Sequence, residues 1–137
     1  MAKRIFLDTN IVADMIDASR VGSADAMDLL RRCVLDDIEP VVSEDMLSTL
    51  YYISKDKAAT LDFFEHVVFR YWRVSAFGET VVQDAVRIAR ETGKDLEDML
   101  QCLCAVSQEC SVLITGDRTF FACEGIHVMT TREFLDG

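Results

Sequence analysis

Lys3-Arg4-Ile5-Phe6-Leu7-Asp8-Thr9-Asn10-Ile11-Val12 joins a β-like run to a helix start through an acid. Lys3 to Leu7 reads as a β-strand. Asp8-Thr9-Asn10 ends it with the polar chemistry of a helix start. Ile11, Val12, Met15 and Ile16 then follow at helical spacing. An acid placed just where a strand gives way to a helix sets the pattern for the rest of the chain.

The alternation of short β-like runs with longer helical ones continues outward from this unit. A helix is expected from about Ser23, with Ala26, Met27, Leu29, Leu30 and Val34 as its apolar set. Ile38 to Val42 reads as the second strand, and Ser43 as the cap of the next helix. Glu44 and Asp45 fall in that helix's first turn, where the dipole favours acids. Met46, Leu47, Leu50, Tyr51 and Ile53 form its apolar face. A helix over 56–68, a strand over 71–74 and helices over 79–91 and 96–109 follow, the last two separated by Gly93. A fourth strand over 111–115, a helical turn over 117–121, a fifth strand over 127–129 and a short helix capped by Thr130 or Thr131 complete the order. Strands separated by helices imply crossover connections and a mainly parallel sheet covered on both faces. Ligands of such sheets bind at the carboxyl ends of the strands.

Composition sets the bounds. A chain of 137 residues, half of them hydrophobic and 28% charged, with one proline, suits a single globular domain over 1–137. No apolar run approaches the roughly 18 residues that span a bilayer. Asp8 and Asn10 interrupt any signal-like core at the N-terminus, so a cytoplasmic, non-membrane protein is expected. The five cysteines (Cys33, Cys102, Cys104, Cys110 and Cys123) are odd in number and lack zinc-site spacing. Cys102 and Cys104 point to different helix faces, and all five are expected as reduced thiols that pack like small apolar residues. The net charge of −10 sits awkwardly with phosphate binding. The surplus acids are either a solvated surface or a cluster around a metal.

Their positions favour the cluster. Asp8 directly follows the first strand, and Asp117 follows the fourth in Val112-Leu113-Ile114-Thr115-Gly116-Asp117-Arg118. Asp95 and Asp98, three apart at the head of the helix leading into that strand, share a helix face. Four acids from three distant segments thus meet at one sheet edge. Clustered carboxylates repel one another, and a bound Mg²⁺ or Mn²⁺ relieves the repulsion. On a phosphodiester such an ion orients and activates water, and a carboxylate assists its deprotonation. Asp8 and Asp95 each read equally as helix caps when taken alone, and Asp117 as a turn residue; Asp98, heading a strongly apolar helix, does not reduce to a cap.

These residues resemble the PIN-domain superfamily, the fold of VapC-type toxin ribonucleases, over essentially the whole chain. Ile5-Phe6-Leu7-Asp8-Thr9-Asn10 is similar to its first-strand motif, in which the Asp is a metal ligand supported by the hydroxyl and amide that follow. Leu96-Glu97-Asp98-Met99-Leu100-Gln101-Cys102-Leu103-Cys104-Ala105 resembles its third motif, and Leu113-Ile114-Thr115-Gly116-Asp117-Arg118-Thr119-Phe120 its last. The resemblance implies a three-layer α/β/α sandwich with about five mainly parallel strands. It implies a Mg²⁺- or Mn²⁺-dependent endoribonuclease with Asp8, Asp98 and Asp117 as catalytic metal ligands. Asp95, Thr9, Asn10 and Thr115 would support them. It also implies homodimerisation and neutralisation by a small antitoxin.

One departure stands out. The family's second acid is a Glu six residues past a Ser or Thr, and counting from Ser43 places Thr49 there. Asp45, with Glu44 as its alternative, is the expected replacement; both equally favour the helix N-terminus as such. Arg118, beside the acids, and Lys94, before Asp95, are the candidate RNA contacts, ahead of Lys55 and Lys57. His66 and His127 lie outside the acidic motifs; Phe63, Phe64, Phe69, Tyr71 and Trp72 read as core or partner-facing surface, and Tyr51-Tyr52 as part of a dimer face. Two rivals remain open. One is an inert PIN-like module that binds RNA or protein. The other is a phosphatase-like enzyme with Asp8 as nucleophile, weakened by Asn10 where such enzymes carry a second Asp.

Overall fold

The computed structural model describes residues 3–121 and 123–137. Five parallel strands form the sheet: β1 Lys3–Leu7, β2 Ile38–Ser43, β3 Arg73–Ser75, β4 Val112–Ile114 and β5 His127–Met129, in the order β3-β2-β1-β4-β5. Between them run α1 Thr9–Ile16, α2 Ser23–Leu35, α3 Glu44–Ile53, α4 Lys57–Phe63, α5 Phe69–Tyr71, α6 Gly78–Thr92 and α7 Leu96–Ser107, with α8 Thr131–Asp136 after β5. The helices cover both faces, giving the expected three-layer α/β/α sandwich. β1 takes the centre because Ile5, Phe6 and Leu7 are wholly apolar and fully buried, as are Leu113 and Ile114 beside them. Among the described residues no helix is long and apolar enough to cross a membrane.

Parallel register places all strand ends on one edge. Leu7 pairs with Ile114, Ile114 with Met129, and Ser43 with Ser75. The ladder runs one residue further, since Asp8 N–H donates to the Ile114 carbonyl and Thr115 N–H to that of Met129, each at 3.0 Å. Asp8 and Thr115 therefore stand side by side at the carboxyl edge, where a ligand site was expected.

Several details differ from the sequence reading. The helix begun at Lys57 continues through a wider, π-type turn at Phe64–Val68 into α5, so β3 starts only at Arg73. Trp72 leaves the strand and packs edge-on to Phe63, with ring centroids 5.6 Å apart. On α2 the inward position goes to Cys33, while Val34 is exposed. Tyr51 and Ile53 of α3 likewise reach solvent, because Met46 and Leu50 alone complete its buried stripe. Residues 117–121 form no helix: Phe120 N–H bonds the Asp117 carbonyl at 3.1 Å in a simple turn. Ser43 stands at the N-cap of α3 but makes no side-chain cap bond. Thr130, in contrast, caps α8 in a reciprocal capping box with Glu133.

The largest correction concerns the cysteines. Cys102 and Cys123 are joined in a disulfide, leaving Cys33, Cys104 and Cys110 as buried free thiols. The segment after Asp117 folds back against α7 and brings together two residues 21 apart, which helical spacing alone does not reveal.

Candidate functional site

Asp8 is the pivot of the strand edge. As N-cap of α1 it accepts the Thr9 N–H on Oδ1 at 2.7 Å, and on Oδ2 it accepts the Thr115 hydroxyl at 2.7 Å. The carboxylate is nearly buried, at 9% exposure. The same Thr115 Oγ1 accepts the Asp117 N–H at 3.0 Å. One hydroxyl therefore links the acid after β1 to the acid after β4. Asp117 itself is exposed, and its Oδ1 accepts both the N–H (2.8 Å) and the hydroxyl (2.6 Å) of Thr119. These bonds hold its carboxyl below the ordinary range.

α7 delivers the remaining acids. Gly93, at φ +73°, ends α6 in the left-handed conformation that glycine adopts without strain. Asp95 then caps α7, accepting the Asp98 N–H at 3.0 Å. Half-buried Asp98 has its carboxyl raised to about 6, first by burial and then by Asp95, Asp8, Asp117 and Glu97. That order of causes is a map: Asp98 lies in the field of every acid in the predicted cluster.

The structure adds Glu97, which sequence reasoning passed over. Its carboxyl is raised by burial, then by Asp8, Asp95 and Asp45. Its signal was the spacing Glu97, Gln101, Cys104, a stripe whose later members are buried. Gln101 is 4% exposed, and its Oε1 is the buried side-chain oxygen left without a partner among the described residues. Asp45 is exposed yet near enough to act on Glu97, whereas no such link involves Glu44. Thr49 turns its hydroxyl onto the Asp45 carbonyl of its own helix at 3.4 Å. Asn10 is turned outward, its Oδ1 accepting from Arg20 at 3.4 Å, while Thr9 is buried.

An open groove of about 780 Å³ runs from this edge, lined in part by Thr115, Asp117, Arg118, Thr130 and Arg132. Arg118 is exposed and makes no ion pair among the described residues, while Arg132 is held by Asp25 and Asp136. Lys94 reaches across from the α6–α7 connection, its ammonium 4.8 Å over the Phe121 ring. Lys57 is occupied elsewhere, bonding the Tyr51 and Ser54 carbonyls. His66 and His127 are exposed and outside the acidic group; Tyr52, Phe69 and Tyr71 are exposed, and Phe64 and Trp72 buried.

The donor chemistry suits a hard divalent cation: carboxylate oxygens, with no imidazole or thiolate among them, and an unpartnered buried amide oxygen one turn along α7. Among the described residues no three Asp, Glu, His or Cys groups already stand close enough to enclose one ion. The acids are electrostatic neighbours, not a closed cage.

The site is thus a group of carboxylates gathered at the strand ends of an open parallel α/β sheet. A PIN domain model matches residues 4–119, and the chain belongs to the PIN-domain family. It is 30% identical over 139 residues to Ribonuclease VapC1 of Aquifex aeolicus (strain VF5), covering 98% of this chain and 95% of that one. In structure it is similar to a toxin-antitoxin complex from Klebsiella pneumoniae, with TM-score 0.68 and 18% identity over 93% of this chain and 97% of that chain. It is also similar to VapC20 of Mycobacterium tuberculosis, a sarcin-ricin loop cleaving toxin, with TM-score 0.67 and 16% identity over 85% and 92%. At these identities the structural likeness speaks for the fold.

Proposed function

We propose that this chain is a divalent-metal-dependent endoribonuclease, acting in the cytoplasm as the toxin of a toxin–antitoxin pair. The observation that carries the reading is the meeting at Asp98, where burial first, and then carboxylates from the ends of β1 and β4 and the start of α7, raise its pKa to about 6. Carboxylates kept in mutual repulsion at a sheet edge are the form a cation site takes before the cation arrives. The likeness to Ribonuclease VapC1 supports RNA as substrate, and the Klebsiella pneumoniae complex supports an antitoxin partner.

Asp8, Asp98 and Asp117 would hold Mg²⁺ or Mn²⁺, with Glu97 and Asp45 as the flanking acids in place of a carboxylate at Thr49. Once bound, the ion supplies an acidified water and neutralises charge developing on the phosphate. Thr115 orients Asp8 through its 2.7 Å bond and keeps Asp117 in register through the 3.0 Å bond it accepts. Asp95 fixes the first turn of α7 and with it the place of Asp98. Arg118 and Lys94 are the cations that meet the RNA backbone where it runs along the groove beside Asp117.

The inert-module reading draws on one specific observation, the Thr49 hydroxyl turned back onto its own helix. The two are separated by incubating a structured RNA pool with protein and Mn²⁺. A nuclease yields discrete products that vanish with EDTA or Asp98→Asn; the inert module binds RNA and leaves it whole.

A further inference from the structure

The Cys102–Cys123 disulfide spans the site. Cys102 lies on α7 four residues after Asp98, one turn along the same face. Cys123 lies in the run between Asp117 and β5, and the two Cα atoms are 5.9 Å apart. The bond therefore ties the helix that carries Glu97 and Asp98 to the segment that carries Asp117. Among the described residues, that segment's backbone and polar side-chain bonds are local, the Asp117–Thr119 and Asp117–Phe120 turn bonds and the Ile126 N–H to Cys123 carbonyl contact at 3.1 Å, while Phe120 anchors it in the core. A further contact is the Lys94 ammonium, just before α7, over the Phe121 ring.

Like charge works against this arrangement. Asp117 acts on Asp98 across the gap that the disulfide closes. A covalent tie holds the two segments together before any cation binds, and such preorganisation strengthens binding. We propose that Cys102 and Cys123 form a thiol–disulfide exchange site that sets the affinity of the acidic cluster for its divalent cation. The closed pair gives the tight-binding state and the opened pair a weaker one. The inference rests on the metal-site reading above.

The reductant is a dithiol, small or protein-borne. One of its thiolates attacks either sulfur and forms a mixed disulfide, and its second thiol displaces the remaining cysteine. The dithiol leaves as a disulfide, and its two electrons and two protons end on Cys102 and Cys123. Both cysteines are buried, at 5% and 4% residue exposure, so attack follows local opening of the segment after Asp117. The other thiols do not compete: burial pushes Cys33 and Cys110 up to about 12, and Cys104 upward as well.

The test is Mn²⁺ titration by calorimetry on the full chain in three forms. These are the oxidised protein, the protein reduced with a phosphine and desalted, and the Cys102→Ala/Cys123→Ala variant; thiols are counted under denaturing conditions in parallel. The oxidised form should show three thiols and the reduced form all five. Mn²⁺ affinity should fall about tenfold in both opened forms, with far-ultraviolet dichroism unchanged. Five thiols before reduction, or equal affinity in oxidised and reduced protein, would overturn the proposal. An alanine variant that binds like the oxidised form would do so too. Should the oxidised form bind no Mn²⁺, the metal-site reading itself falls and takes this one with it.

Discussion

Asp98 carries opposite consequences for stability and for chemistry. Its pKa, raised to about 6 from 3.8, means that the folded protein holds a proton the unfolded chain releases between those values. Its stabilising contribution is therefore present below about pH 4 and lost as pH rises through about 6. Asp98→Asn removes that liability: without metal near neutral pH, the variant should melt roughly 1–4 °C above wild type. Cleavage should nevertheless fall more than about 100-fold, and added Mn²⁺ should no longer raise the melting temperature. Proton and cation also compete for this carboxylate, so Mn²⁺ affinity measured by calorimetry should be flat above pH 7 and decline below about 6. Thr115→Val tests the bridging hydroxyl: it leaves Asp8 Oδ2 and the Asp117 N–H without their partner, which should cost about 1–3 kcal/mol in denaturant unfolding. Asp8 and Asp98 are legible as candidates in sequence because each lies at or within the first turn of a helix that follows a recognisable break. Glu97 was not, because its cue depends on knowing which side of α7 faces the sheet.

At the scale of elements, the site depends on how α7 is launched. Gly93 turns the chain at φ +73° so that Asp95 can cap the next helix. Gly93→Ala should lower unfolding free energy by about 1–2 kcal/mol, since a Cβ is disfavoured in the left-handed region. It should also weaken Mn²⁺ binding, which an equally destabilising change remote from α7 would not do. The elements read correctly are those whose local signals agree: β1, α2, α6, α7 and β5 have clear apolar periods and clear stops. β3 was misplaced because Tyr71 and Trp72 have strand-like chemistry but finish a helix that packing extends beyond Val68. The 117–121 turn was misread for the opposite reason: Asp117 looks like a helix start, yet it spends its Oδ1 on Thr119, within the turn.

For the whole molecule, a net charge of −10 constrains how RNA can bind. Among the described residues, six of the eight arginines outside the groove are paired with an acid, including Arg4 and Arg73, which share Glu39. With Arg118 and Lys94 as the two phosphate contacts, affinity for single-stranded RNA should change with salt at a log–log slope of about −1.4. Arg118→Gln should reduce that slope by about 0.7 in a fluorescence-anisotropy titration. The layered fold and its edge were legible because alternation of strands and helices leaves few topologies. The disulfide was not, since pairing across 21 residues depends on how one irregular segment folds back.

A cation-dependent ribonuclease centred on Asp8, Asp98 and Asp117 must cleave a mixed structured-RNA pool. Antitoxin-free protein with Mg²⁺ or Mn²⁺ is run beside EDTA-treated protein and Asp98→Asn. Discrete products are expected with wild type and metal alone, and none in either control. Intact RNA in every lane from folded protein, or cleavage that persists in EDTA or in the variant, would contradict that reading.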